Sequence, residues 1–274
     1  MDYTVLMSVY EKENPVYLRE SIESIWNQTV LPKQFVLVKD GPLNESLERV
    51  IDEYEQKARK EQLIKFTVVS LSENQGLGPA LNAGLKVAEC DYIARMDSDD
   101  IAFPDRCERQ LKVLKEQNVD IVSGTLLEFG ENIEDIQAVK TLPETDAEIL
   151  KYARRRNPFN HPCVMFKKQT IEKAGMYQPV PLFEDYDLWA RALLNGAKGY
   201  NIKEPVLYMR AGSNMYLRRG GFSYVKKGVT FRLKLRKMGF SGNLDFLVSA
   251  AGQIIFGLVP NGVRKGFYKH ILRR

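Results

Sequence analysis

The chain has 274 residues, which is enough for one large α/β domain or for a domain with an appendage. Its apolar fraction of 44% and charged fraction of 27% are those of a globular protein. Its three cysteines show no paired or metal-type spacing, which argues against a disulfide-stapled secreted fold. The cysteines are therefore expected to be reduced thiols of a cytosolic protein, and the first residues show no signal-peptide pattern.

Charge is distributed unevenly along the chain. The net charge is +5, but residues 218–274 hold 13 Lys and Arg against a single acid, Asp245. Residues 1–217 hold 27 Lys and Arg against 34 Asp and Glu. An acidic body with a strongly basic tail indicates that the tail meets an anionic partner, either a nucleic acid or the anionic inner leaflet of a membrane.

Strand and helix signals alternate over the first 125 residues, which predicts a parallel sheet with helices on both faces. The predicted strands are residues 3–9, 35–38, 64–70, 92–96 and 119–123. The predicted helices are residues 15–26, 45–61, 79–87 and 104–117. After about residue 140 the pattern weakens, and we expect a strand at 163–166, a helix at 184–194, a strand at 206–208 and a helical segment from 222 onward.

The most informative stretch is the acidic run Asp97-Ser98-Asp99-Asp100, which follows the predicted strand at 92–96. Carboxylates this close repel each other, and one or more would take up a proton unless a cation held them. Carboxylate oxygens suit Mg²⁺ or Mn²⁺, often together with substrate phosphates. At the carboxyl end of a parallel strand, the run therefore predicts a metal-bridged diphosphate site. A solvated turn or helix cap is the alternative, since Asp is common in both.

Five motifs, taken in chain order, resemble those of family 2 glycosyltransferases with the GT-A fold over about residues 3–210. They are Val5-Leu6-Met7-Ser8-Val9-Tyr10, Lys39-Asp40-Gly41, Asn74-Gln75-Gly76 with Ala80-Leu81-Asn82, Asp97-Ser98-Asp99-Asp100 and Glu184-Asp185-Tyr186-Asp187-Leu188-Trp189. No single motif is decisive, but their order and spacing together are highly specific. The later runs Tyr208-Met209-Arg210-Ala211-Gly212 and Arg218-Arg219-Gly220-Gly221 resemble the bacterial branch that builds exopolysaccharide, capsule or O-antigen.

The resemblance implies an α/β protein with the GT-A fold, in which a Rossmann-like, mixed and mainly parallel sheet is flanked by helices. It implies a catalytic domain at residues 1–221, made of a nucleotide-binding half (1–125) and an acceptor half (126–221). Residues 222–274 are expected to form a basic, amphipathic helical extension that associates with a membrane.

The resemblance also implies how a nucleotide-sugar donor is bound. The expected nucleotide-binding residues are Ser8, Val9, Tyr10, Asp40, Asn74, Gly76, Asn82 and Asp97. The Asp40 carboxylate is expected to accept the imide N–H of uracil, although turn chemistry alone also favours Asp-Gly there. Asp97, Asp99 and Asp100 are expected to hold Mn²⁺ or Mg²⁺, which offsets charge on the departing diphosphate. The sequence does not divide the metal and ribose contacts among these three carboxylates.

Inverting displacement needs a base that takes the proton of the acceptor hydroxyl. The resemblance assigns this base to Asp185 and gives Glu184 a part in positioning the acceptor, whereas the alternative is that both acids only favour the positive end of a helix. Many GT-A enzymes place a histidine metal ligand after the last core strand, and residues 208–212 contain none. Weaker candidates for acceptor or diphosphate contacts, with structural or solvated roles as the alternatives, are His161, Arg210, Arg218 and Arg219.

The basic tail contains an apolar segment at residues 244–259, in which Asp245, Ser249 and Gln253 repeat every four positions as one stripe of a helix. The segment is shorter than the roughly 20 residues needed to span a bilayer. Lys and Arg residues flank it on both sides. These features predict an interfacial anchor at the cytoplasmic membrane surface, with a helix packed on the catalytic domain as the alternative.

Together the motifs predict an inverting, metal-dependent glycosyltransferase. It is expected to move a sugar from a nucleotide-diphosphate sugar, most simply a UDP-sugar, to a saccharide carried on a polyprenyl diphosphate. The alternative is a catalytically silent protein of the same fold that binds nucleotide sugars. A nucleotidyltransferase is disfavoured because residues 8–14 lack glycine. Nucleic-acid binding is disfavoured because the apolar helix of the tail suits a lipid surface better.

Overall fold

The computed structural model describes residues 1–211 and 220–258. Its strands are β1 (Tyr3–Val9), β2 (Gln34–Lys39), β3 (Lys65–Ser70), β4 (Tyr92–Asp97), β5 (Ile101–Ala102), β6 (Ile121–Phe129), β7 (Ile136–Lys140), β8 (Met165–Lys167) and β9 (Gly199–Arg210). Its helices are α1 (Pro15–Trp26), α2 (Glu45–Glu61), α3 (Leu77–Val87), α4 (Arg106–Glu116), α5 (Asp146–Ala153), α6 (Lys168–Lys173), α7 (Glu184–Leu194), α8 (Phe222–Lys237) and α9 (Asn243–Leu258). A short 3-10 helix covers His161–Cys163.

The strands form one mixed sheet in the order β3-β2-β1-β4-β8-β6-β9-β5, with β7 paired to β6. The first four strands of this order are parallel to one another. β8 runs antiparallel to both of its neighbours, and β6 and β9 are again parallel. The predicted α/β architecture, a mixed and mainly parallel sheet flanked by helices, is therefore confirmed, with the parallel part concentrated in the first half of the chain. The proposed boundary at residue 125 falls inside β6, so both halves share one continuous sheet.

Both faces of the sheet are covered by helices, as the alternation of strand residues requires. Tyr3, Val5 and Met7 of β1 belong to the core layer that includes α1 and α2, whereas Leu6 between them belongs to the layer that includes α3 and α7. On the second face, α3 approaches the sheet so closely that only glycine fits at one position. A Cβ on Gly84 would lie 2.3 Å from the Leu6 Cδ1 atom.

Local signals placed the helices of ten or more residues and the strands β1 to β4 correctly, but they predicted only parts of β6 and β9 and missed the shortest elements. α1 begins at Pro15, where the Asn14 side chain accepts a hydrogen bond from the Val16 N–H at 2.9 Å. The sequence analysis omitted β5, β7, α5 and α6. Each of these has two to eight residues, which is too few for a clear hydrophobic period. The strand expected at 163–166 starts two residues later, because residues 161–163 form the 3-10 helix.

The C-terminal helices pack onto the body of the protein. The Phe231 ring of α8 stacks on the Phe183 ring, with 4.7 Å between centroids and 9° between planes. The Lys234 ammonium also pairs at 2.5 Å with Asp187, a fully buried residue of α7. α9 folds back on α8, and Gly228 permits close contact with Gln253. Within the described ranges, no helix is both long and apolar enough to cross a bilayer.

Candidate active site

Several predicted nucleotide-binding residues lie along one edge of the sheet. β1 lies between β2 and β4, and its register pairs Val9 with Lys39 and Ser8 with Asp97. The carboxyl ends of these three parallel strands therefore coincide, and Tyr10 and Asp40 follow them directly. This edge is where open α/β sheets bind their ligands.

Asp40 fixes the loop that precedes α3. Its two carboxylate oxygens accept hydrogen bonds from the backbone N–H groups of Gln75 at 2.8 Å and Gly76 at 3.0 Å. The Asn74 side chain donates back to the Asp40 carbonyl at 3.3 Å. Gly41 adopts φ = +88°, and a Cβ there would lie 2.7 Å from the Asn74 nitrogen. Asp40 thus positions the glycine-containing loop, and its contact with uracil stays a prediction.

Asn82 and His161 meet at Tyr177, which follows α6. The Asn82 amide donates to the Tyr177 carbonyl at 2.9 Å and accepts from its backbone N–H at 3.0 Å. The His161 Nε2 atom lies 2.8 Å from the Tyr177 hydroxyl oxygen. Burial, and secondly the charge of Arg95, lower the pKa of His161 well below its ordinary value, so the ring is neutral. These contacts give both residues positioning roles, while substrate contacts stay predictions.

The acidic loop begins with an ion pair between a buried arginine and a partly exposed aspartate. Arg95, in β4, is almost fully buried, and its guanidinium donates to both carboxylate oxygens of Asp97, at 2.9 Å from Nη1 to Oδ2 and at a shorter distance from Nη2 to Oδ1. The next residue, Ser98, donates from its hydroxyl to the Glu13 carboxylate at 2.6 Å. Two-point pairing of this kind fixes the orientation of the Asp97 carboxylate.

The surroundings of Asp99 and Asp100 disfavour the ionised form of both carboxyl groups. Burial, followed by the charges of Asp97 and Glu13, raises the pKa of Asp99 to about 7. Burial, followed by the charges of Asp97 and Asp99, raises the pKa of Asp100 well above its ordinary value. Asp100 Oδ1 accepts from the Arg210 N–H at 2.9 Å, whereas Oδ2 is buried and has no hydrogen-bond partner among the described residues.

The donor set of this loop fits a divalent cation. No group of three or more His, Cys, Asp or Glu side chains gathers at one point in the described part of the chain. A magnesium-type ion, however, needs only one or two carboxylates when substrate phosphates and water complete its shell. Mutual repulsion and the orphaned oxygen of Asp100 are both relieved by a cation, since it favours the ionised carboxylates. Asp99 and Asp100 are the acids that fit, because Asp97 is already paired with Arg95.

Arg210, at the end of β9, stabilises the acidic loop by hydrogen bonds. Its guanidinium donates to the Asp99 carbonyl at 3.2 Å and pairs with Glu20 at 2.6 Å. The same group lies 3.8 Å from the centroid of the Tyr17 ring and 4.6 Å from that of Phe129. These contacts hold the arginine between α1 and the sheet, so its contact with a diphosphate stays a prediction. Arg218 and Arg219 fall outside the described residues.

The two acids assigned to catalysis form the first turn of α7. The Asp185 carboxylate accepts a hydrogen bond from the Asn157 side chain at 2.5 Å. Burial raises the pKa of Asp185, although hydrogen bonds from the Tyr186 N–H and from Asn157 oppose this effect. Burial likewise raises the pKa of Glu184, which is half-buried. A carboxylate with a raised pKa is a stronger base, which is the property that proton abstraction from a hydroxyl requires.

The start of α7 adjoins the loop that Asp40 holds. A Cβ at Gly78 would lie 3.4 Å from the Tyr177 Cβ atom and 3.9 Å from the Glu184 Cγ atom. Glu184 therefore lies beside the first turn of α3, although more than 100 residues separate it from Gly78 in sequence. The structure thus places the start of α7 next to the helix that follows the loop held by Asp40, while the catalytic and nucleotide-binding roles stay predictions.

The sequence analysis missed several residues that organise the site. Arg95 carried a visible signal, because it is a charge inside an otherwise apolar predicted strand, where it has to be paired. Glu13, Asn157 and Tyr177 carried no comparable signal. They lie in segments without a hydrophobic period, and only the tertiary contacts bring them to the acids.

The mixed sheet, the acidic loop at a strand end and the adjacent acid-bearing helix are those of a glycosyltransferase with the GT-A fold. Residues 4–175 match the family model described as Glycosyl transferase family 2, and the chain belongs to this family. The resemblance inferred from the five motifs is thereby confirmed, and the protein is an enzyme of the glycosyltransferase class.

Two relatives match almost the whole chain. It is 39% identical over 251 residues to the amylovoran biosynthesis glycosyltransferase AmsE of Erwinia amylovora, with 90% of this chain and 91% of that protein covered. It is 36% identical over 273 residues to an Escherichia coli protein named UDP-Gal:alpha-D-GlcNAc-diphosphoundecaprenol beta-1,3-galactosyltransferase, with 99% of this chain and 97% of that protein covered. These relatives agree with the predicted resemblance to the bacterial polysaccharide branch.

A solved structure supports the fold. The chain is similar to the mannosyltransferase PcManGT from Pyrobaculum calidifontis in complex with GDP-Man and Mn²⁺, with a TM-score of 0.63. The sequence identity is 15%, and the alignment covers 96% of this chain and 78% of that protein. At this identity the similarity is one of fold alone.

Proposed function

We propose that this protein transfers a sugar, with inversion, from a UDP-sugar to a saccharide carried on a polyprenyl diphosphate. The observation that carries the proposal is the proximity of Glu184, at the start of α7, to Gly78 in the first turn of α3, which directly follows the loop held by Asp40. The name of the E. coli relative, with its UDP-Gal donor and diphosphoundecaprenol-linked acceptor, supports this choice of substrates. Such an acceptor would place the enzyme peripherally at the cytoplasmic face of the membrane.

On this proposal, the sheet edge binds the nucleotide. Asp40 keeps the loop at residues 74–76 in place, so that its backbone can approach the nucleotide closely. Asp97, oriented by Arg95, faces the ribose end of the donor. Asp99 and Asp100 would hold Mn²⁺ or Mg²⁺, which when bound would offset charge on the departing diphosphate.

Asp185 is the proposed base. Asn157 orients its carboxylate by a hydrogen bond, and burial keeps its pKa raised. The base takes the proton of the acceptor hydroxyl as the oxygen attacks the anomeric carbon, while the bond to the nucleoside diphosphate breaks on the opposite face. Glu184, half-buried beside Gly78, is placed to orient the acceptor.

Two measurements test the proposal. Calorimetric titrations with UDP, GDP, CDP and dTDP, each with Mn²⁺ or with EDTA, should show UDP binding that EDTA abolishes. Tight binding in EDTA would refute the metal assignment, and no binding of any nucleotide would favour a silent fold. The second measurement compares Asp185→Asn with Asp52→Asn, an exposed control on α2.

Asp185→Asn keeps the side-chain shape but removes the proton acceptor. We expect it to bind UDP as the unmodified protein does, and to lose about 10²–10⁴-fold in transfer rate. Asp52→Asn should retain the full rate. Undiminished transfer by Asp185→Asn would eliminate Asp185 as the base, even if nucleotide binding behaves as expected.

A further inference from the structure

α9 has its amphipathic faces reversed with respect to an ordinary surface helix, which turns its apolar side to the core. Its polar residues Asp245 and Gln253 face the protein. Asp245 pairs with Arg155 at 2.6 Å, and Gln253 is buried against Gly228 of α8. The large side chains that α9 exposes are instead apolar, and they are Leu244, Leu247, Val248, Ile254 and Ile255.

These exposed residues recur at intervals of three and four, so they form one continuous stripe along α9, the α9 outer face. Ala251, also exposed, fills the gap in the middle of the stripe. Isolated apolar residues are normal on a protein surface, but a contiguous apolar stripe marks a surface that another partner covers. The inward polar stripe means that rotation of α9 would bury Leu247 and Ile255 only by exposing the pair of Asp245 with Arg155.

Positive charge lies on α8, the helix that packs against α9. α8 contains no acidic residue, and it exposes Lys226, Lys227, Arg236 and Lys237. At the α8–α9 turn, the Arg236 guanidinium donates to Asn243 at 2.7 Å and lies 5.7 Å from the centroid of the Phe246 ring. Apolar residues bordered by cations match the surface of an anionic bilayer. A second copy of this chain would bring the same positive charges together, which disfavours a homodimer through this face.

We propose that the α9 outer face, with the exposed cations of α8, docks on the anionic surface of a lipid bilayer. The helix lies in the interface, because none of the described helices could span the bilayer. This proposal assigns the predicted membrane contact to particular side chains.

Docking would also orient the catalytic acids. Phe231 and Lys234 fix α8 on α7, and the Lys227 ammonium lies close enough to Glu184 to lower the pKa of that carboxyl against the effect of burial. Because α8 packs on α7, docking of α8 and α9 would also set the orientation of the acids of α7 relative to the bilayer. This part rests on the proposed function, since an acceptor held in the leaflet by its lipid needs Asp185 to be presented near the membrane.

The test is sedimentation of the full chain with vesicles. Wild-type protein should sediment with vesicles that contain phosphatidylglycerol and much less with pure phosphatidylcholine. The double variant Leu247→Gln/Ile255→Gln should lose at least about tenfold in partitioning, because each substitution removes apolar surface from the bilayer. Leu63→Gln is the matched control, since Leu63 lies outside α8 and α9 and its exposed fraction, 62%, equals that of Leu247 and Ile255. It should sediment as wild type does.

Each remaining outcome supports or overturns the proposal. Failure of the wild type to sediment with anionic vesicles, or equal sedimentation of the double variant and Leu63→Gln, would overturn it. A third result would also overturn it: the wild type is a dimer in ultracentrifugation, the double variant is a monomer, and neither protein binds vesicles. Because the substituted side chains are exposed, circular dichroism of the double variant should match that of the wild type.

The membrane proposal and the proposed function fail separately. Asp185→Asn should sediment with anionic vesicles as wild type does, even where it has lost transfer. Conversely, the Leu247→Gln/Ile255→Gln variant should still bind UDP, because it leaves the sheet edge unchanged. A variant that loses vesicle binding and keeps UDP binding therefore supports the docking surface, whatever the sugar donor proves to be.

Discussion

The contact between α8 and α7 allows a quantitative prediction for Phe231→Ala. The Phe231 side chain is 2% exposed, stacks on Phe183 and meets the Tyr186 ring edge-on at 5.1 Å between centroids. Truncating a buried phenylalanine costs about 3–5 kcal/mol, because burial is lost and a cavity remains. Each aromatic contact contributes about 0.5–1.5 kcal/mol of this. Phe231→Leu, which keeps most of the apolar volume, should therefore cost less than Phe231→Ala.

Thermal and urea unfolding measure the effect, with Phe222→Ala as the matched control. Phe222 lies on the same helix but is 77% exposed, so its truncation should change the free energy of unfolding by less than about 0.5 kcal/mol. With about 2 °C of Tm per kcal/mol for a chain of this size, Phe231→Ala should lower Tm by at least about 6 °C.

Phe231→Ala should also affect sugar transfer without affecting UDP binding. UDP binding should be unchanged, because Phe231 packs on Phe183 and Tyr186 at the start of α7 and not on the strand ends that carry Asp40 and Asp97. Transfer should fall, because Phe183 directly precedes Glu184 and loses its stacking partner. Equal shifts in stability for Phe231→Ala and Phe222→Ala would refute the packing of α8 on α7 and the coupling inferred from it.

Two further predictions concern stability. Burial and Arg95 lower the pKa of His161, so the folded state keeps the ring neutral while the unfolded chain takes up a proton below about pH 6.5. The free energy of unfolding should therefore fall as the pH drops below that value. His161→Gln should weaken this pH dependence, as measured by urea unfolding at several pH values. The same pH dependence in His161→Gln and in the wild type would contradict the assignment. Gly84→Ala should destabilise by about 1–3 kcal/mol through overpacking against Leu6, whereas Gly252→Ala, with no atom near the added Cβ, should stabilise by about 0.5–1 kcal/mol in the same assay.

Chain-local physics made much of the fold predictable. Asn14 and Pro15 satisfy the free N–H groups of a helix start, so the boundary of α1 follows from two adjacent residues. Apolar alternation along β1 follows from strand geometry, which points successive side chains to opposite faces. The acidic run after β4 was informative for the same reason, since repulsion among neighbouring carboxylates is a property of the sequence itself.

The partners of the site residues were not predictable in this way. The Asp40 carboxylate accepts hydrogen bonds from the backbone N–H groups of residues 75 and 76, and the Asn157 side chain orients Asp185. Each contact joins segments that are 28 or more residues apart, and nothing in either segment specifies the other. Arg95 is the exception, because a charge in a buried strand has to be paired and its partner lies two residues away.

The C-terminal helices show most clearly which properties follow from the local sequence and which depend on tertiary contacts. The sequence by itself determined that residues 244–259 form an apolar helix with one polar stripe and basic flanks, because composition and period are local properties. It could not determine which stripe faces outward, since either face of such a helix can be covered. Only the tertiary structure decided this: Arg155 and Gly228, distant in the chain, receive Asp245 and Gln253. The ion pair of Asp245 with Arg155 and the burial of the Gln253 amide against α8 fix the rotation of α9 about its axis. The apolar face of α9 is therefore exposed.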